Sequence, residues 1–91
     1  MDRIINVDLE KYIIYENLEN NNLVACEMKH QSRLIELYKK YDNFKTAPDS
    51  ESIEIFILQY DNKTNSYFLN HDFKETIKVN QLKGTMVGIY K

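Results

Sequence analysis

Ninety-one residues with a net charge of −2 suffice for one folded domain, since domains run on the order of 100–150 residues. A chain this short hides only roughly 60 % of its unfolded surface, which leaves little room for a deep active site. Hydrophobic residues at 43 % and aromatics at 12 % argue against the disordered class, and two Gly and one Pro disfavour a Gly-rich phosphate loop and a turn-dense sandwich.

Charge is also even along the chain: residues 1–45 hold seven basic and eight acidic groups, and residues 46–91 hold five and six. No basic tail marks a polyanion binder. One cysteine, Cys26, cannot form an internal disulfide and fits a reducing compartment. The opening MDRIINVDLEK lacks the apolar stretch of a signal peptide, and no run approaches the roughly 20 apolar residues of a membrane span. These features lead us to expect a single domain over residues 1–91, cytoplasmic, with no membrane partner. Ten Ile, ten Lys and ten Asn against two Ala suggest an AT-rich genome, such as a low-GC bacterium, its phage or a plasmid.

In chain order, Arg3 to Val7 reads as a short strand. Residues 8–18 read either as a helix capped by Asp8 or, through Tyr12-Ile13-Ile14-Tyr15, as a strand. Asn20-Asn21-Asn22 is a turn. Ser32 to about Phe44 gives the clearest helix, because Leu34, Leu37, Tyr38, Tyr41 and Phe44 fall at steps of 3, 1, 3 and 3 along one stripe. That helix is expected to start as early as Asn22, a good N-cap; a short strand over Leu23 to Met28 is the alternative. Ala47-Pro48-Asp49-Ser50 ends it. Ser52 to Tyr60 is the best strand, joined by the loop Asp61 to Asn65 to a partner over Ser66 to Asn70. Asp72 and Glu75 have capping-box spacing, yet Ile77 and Val79 alternate with Lys78 and Asn80 as in a half-buried strand. Lys83-Gly84 turns into a last strand, Thr85 to Tyr90. The expected fold is α+β, with N-terminal helical segments and one long helix packed on an antiparallel sheet of about four strands.

No constellation compels catalysis. Cys26 and His30, four apart, would share a helix face, but a lone Cys among apolar neighbours is more often a small core residue. Cys26, His30, His71 and Asp72 lack the tight pair spacing of zinc ligands, so neither metal nor cofactor is expected. Lys29, Arg33 and Lys40 could line one helix side toward nucleic acid, but Glu36 interrupts them, and tyrosines in strands are usually core.

The most informative feature is the two-sided strand. Ile53, Ile55 and Ile57 point one way; Phe56, Leu58 and Tyr60 point the other. A sheet with one wet face alternates cleanly, so something covers the second face. The chain's own N-terminal segment can do so, through Ile4, Ile5, Val7, Ile13 and Tyr15. The other occupant is a second copy or another protein, docking on Phe56, Leu58, Tyr60, Phe68, Met86 and Tyr90. The functional expectation is a small non-enzymatic protein-binding module, homodimeric in one version. By class frequency it is a mobile-element accessory protein that blocks a host machine. A nucleic-acid-binding regulator and a small ligand-sequestering protein or enzyme are the alternatives.

Overall fold

The computed structural model describes residues 4–83. Seven strands form two sheets around one short helical segment. In chain order they are β1 (Ile4–Asn6), β2 (Tyr12–Glu16), β3 (Leu23–Glu27), a 3-10 turn at Met28–His30 running into α1 (Gln31–Lys40), β4 (Ser52–Ile57), β5 (Gln59–Asp61), β6 (Ser66–Phe68) and β7 (Lys74–Lys78), closed by a 3-10 turn at Val79–Gln81. The larger sheet has the order β2-β3-β4-β7, antiparallel throughout; the smaller has the order β1-β6-β5, with β1 parallel to β6.

The α+β expectation is therefore overturned: the described residues are mostly sheet. Leu23 to Cys26 is a strand, because all four residues are buried and sit in the middle of the larger sheet. A one-striped helix cannot bury four consecutive residues; a central strand covered on both faces does. Asn22 does not cap a helix. It ends a hairpin loop in which Asn17 N–H donates to the Asn22 carbonyl (2.8 Å) and Asn21 takes φ 62°, a left-handed conformation that Asn tolerates. The alternative helix over 8–18 is likewise absent. Tyr12 to Glu16 pairs with β3, and the Asp8 carboxylate accepts Glu10 N–H within a turn.

α1 also ends sooner than its apolar stripe implies. Asn43 N–H bonds back to the Tyr38 carbonyl (2.9 Å), a six-residue closure typical of helix C-termini. Asp42, Asn43 and Phe44 then take φ 47°, 59° and 70° in succession. This left-handed run inserts Phe44, fully buried, between the rings of Tyr15 and Tyr38 at 5.8 and 5.4 Å. The expected strand from Ser52 to Tyr60 breaks at Leu58, whose N–H donates to the Leu23 carbonyl (3.0 Å), and β5 crosses to the smaller sheet. β7 follows the half-buried alternation of Ile77, not the capping-box spacing. The strand expected over Thr85 to Tyr90 lies outside the described residues.

The two faces of the larger sheet carry separate clusters. Ile13, Tyr15, Val24, Cys26, Ile53, Ile55 and Ile77 pack under Leu34 and Leu37 of α1, with Phe44, Ala47, Val79 and Leu82. On the opposite face, Ile14, Leu23, Ala25, Phe56 and Leu58 are covered by Ile5, Val7, Leu9, Tyr67 and Leu69, which come from the N-terminal segment, β6 and the residue after it. At the far end, Asn80 donates to the Ala47 carbonyl (3.1 Å) and to Asp49 (2.8 Å), tying the second 3-10 turn to the loop before β4. That hydrogen bond, with help from Lys78, holds the exposed Asp49 carboxyl below its usual range. No helix among the described residues is long and apolar enough to cross a membrane.

Candidate functional site

The expected docking face does not exist as one surface. Phe56 and Leu58 are 6 % and 5 % exposed, sealed beneath the smaller sheet. Tyr60 and Phe68 remain accessible, at 48 % and 38 %. Yet the register pairs Tyr60 with Tyr67 and Gln59 with Phe68, and neighbours along a strand point to opposite faces. Tyr60 lies on the inner side of the smaller sheet, at its edge, tilted against Tyr67 with ring centroids 5.1 Å apart; its hydroxyl donates to the Asn65 side chain (2.6 Å). Phe68 lies on the outer side. Met86 and Tyr90 fall outside the described residues. The chain itself thus covers the two-sided strand, and the case for a second copy on that face loses its premise.

The outer side of the smaller sheet is the surface that sequence reading missed. Registers Ile4↔Ser66, Asn6↔Phe68 and Asp61↔Ser66 put these five side chains on one face. With Thr64 from the hairpin loop they line a shallow depression of about 370 Å³. Ile4, 55 % exposed, and Phe68 form its apolar sides. Its polar side is built locally. Asp61 Oδ1 accepts Lys63 N–H (2.9 Å), which sets the loop, and the hydroxyls of Thr64 and Ser66 lie 2.6 Å apart. No described element packs over this face. The signal was faint in the sequence because β1 and β6 have three residues each, too few for alternation to register, and their parallel pairing joins segments some sixty positions apart.

The other candidates do not assemble. Cys26 lies in the core, and desolvation pushes its thiol up to about 12, so it is neutral at ordinary pH. It sits on a strand facing α1, and His30 ends the 3-10 turn, so the two share no helix face. His71 is on the opposite side of the larger sheet, where its Nε2 lies 3.1 Å from the Tyr12 hydroxyl and its ring stands edge-on to Phe56 at 5.2 Å. Among the described residues no three His, Cys, Asp or Glu side chains gather as metal ligands. Of the basic groups considered for nucleic acid, Lys29 pairs with Glu27 (3.5 Å), Arg33 with Glu51 (3.0 Å), and Lys40 lies over the Tyr41 ring (5.2 Å).

The uncovered half of the larger sheet is polar. There Lys74 pairs with Glu54 (3.3 Å), and Lys78 reaches across to Asp49 (3.4 Å). Charged side chains along β7 guard that edge against further strand pairing. β1, by contrast, is an uncharged edge strand, Ile4-Ile5-Asn6. Comparison with known proteins brings no relative to this surface: no family model, curated protein or solved structure matches the chain.

Proposed function

We propose that the chain is a small protein-binding module and not an enzyme, with the outer face of the smaller sheet as its recognition surface. One observation carries the reading: Ile4 and Phe68, two large apolar side chains, are accessible in a single depression whose other lining residues, Asn6, Asp61, Thr64 and Ser66, are polar. An apolar centre within a polar surround is the anatomy of a protein interface. The neutral, buried thiol of Cys26 supports the non-catalytic half. Set beside the compositional bias toward Ile, Lys and Asn, the module reads as a mobile-element accessory protein that occupies a site on a larger host protein. The test is capture from nuclease-treated lysate of the source cells, comparing wild type with an Ile4→Ser/Phe68→Ser double variant. A protein retained stoichiometrically by wild type and lost by the variant fits the reading. Equal retention by both, or retention abolished by nuclease, refutes it.

A further inference from the structure

We infer that the depression takes a basic side chain, arginine or lysine, presented by an extended segment of the partner protein. The inference rests on the reading of this face as the recognition surface and adds what the surface selects. The Asp61 carboxylate accepts one backbone N–H, from Lys63 at 2.9 Å, and no cationic side chain pairs with it among the described residues, the neighbouring Lys63 ammonium included. The Thr64 and Ser66 hydroxyls are 2.6 Å apart, so one donates to the other and both keep acceptor lone pairs. Three acceptor groups, one carboxylate and two hydroxyls, therefore border the depression that Ile4 and Phe68 also line.

Arginine and lysine match both halves of this arrangement. Their methylene stems lie along apolar surface while the head stays polar, and a guanidinium is the side chain that bonds carboxylate and hydroxyl oxygens together and also stacks on a ring such as Phe68. An acidic residue would meet Asp61 as a like charge. A purely apolar one would remove solvent from the carboxylate without giving it a partner. The volume of about 370 Å³ is within the usual range of binding pockets and holds the anchor together with part of its flanking chain.

The test uses the full chain, labelled with ¹⁵N, and the capped tripeptide Ac-Val-Arg-Val-NH₂ against Ac-Val-Glu-Val-NH₂. The arginine peptide is expected to shift the amide signals of Asn6, Asp61, Thr64, Ser66 and Phe68, and the glutamate peptide to leave them in place. Asp61→Asn keeps an oxygen for the Lys63 N–H but removes the charge, and should weaken binding about fivefold or more. Equal response to both peptides, no response at these residues, or undiminished affinity in Asp61→Asn overturns the inference. The two readings fail separately. If the captured protein is lost by the Ile4→Ser/Phe68→Ser variant but kept by Asp61→Asn, the surface stands and the basic anchor falls.

Discussion

Phe44 shows how a single residue can be assigned correctly to the core for the wrong reason. Its spacing from Tyr41 placed it on a helical stripe, but it reaches the core through a left-handed turn at φ 70°. Left-handed geometry costs about 1–2 kcal/mol for an ordinary residue. Burial of the ring between Tyr15 and Tyr38 offsets that cost. Phe44→Ala keeps the strained backbone and loses the ring, so it should destabilise by about 3–5 kcal/mol in urea unfolding. Less than about 1 kcal/mol would mean that the turn is not held by this side chain. Cys26 and Tyr15 share the same cluster, and each is pushed up to about 12, both mainly by desolvation. Their ordinary values are 9.0 and 10.0. Above those values the unfolded chain loses protons that the native chain retains. The stability they contribute is therefore complete below pH 9 and is lost as pH rises toward 12. The urea midpoint should fall steadily above pH 9, and Cys26→Ala should make that fall shallower. An identical alkaline slope in the variant would contradict the assignment.

At the scale of elements, β1, β4 and β6 were legible as strands, β2 stayed open between helix and strand, and β3, five residues long, was not read as one. Ser52 to Ile57 and the hairpin to Ser66 could be read from β-branched density and a polar loop. Leu23 to Glu27 was given to the helix because Leu, Ala, Glu and Met all tolerate one, and local preference carries no information about which faces will be covered. Only β2 and β4, pairing on either side, decide the matter. The same arrangement sets an order of local stability. β3 and β4 are hydrogen-bonded on both sides within the larger sheet, whereas β1 and β5 are three-residue outer strands of the smaller one. In hydrogen exchange the amides of Val24 to Cys26 and Ile53 to Phe56 should be the slowest, and those of β1 and β5 should open first. Equal protection in the two sheets would show that the smaller one is no separate unit of opening.

At the scale of the whole molecule, the larger sheet is covered on one face by α1 and on half of the other by the smaller sheet. The smaller sheet then presents its own outer side, where Ile4 and Phe68 are accessible. The docking face expected from the sequence lies one layer beneath the face proposed above as the recognition surface. Phe56 and Leu58, taken as its centre, are what the smaller sheet covers, and Phe68, taken as their neighbour, faces the other way. That inversion was not readable locally, because it depends on the break at Leu58 and on the parallel pairing of β1 with β6. The most direct measurement is the dissociation constant of the captured protein for wild type, for Ile4→Ser/Phe68→Ser, and for Ile35→Ser on the exposed side of α1. If the outer face holds the binding centre, the double variant weakens binding at least tenfold and Ile35→Ser leaves it unchanged. Loss of affinity in Ile35→Ser, with the double variant unaffected, would move the recognition surface to the helix and contradict the account.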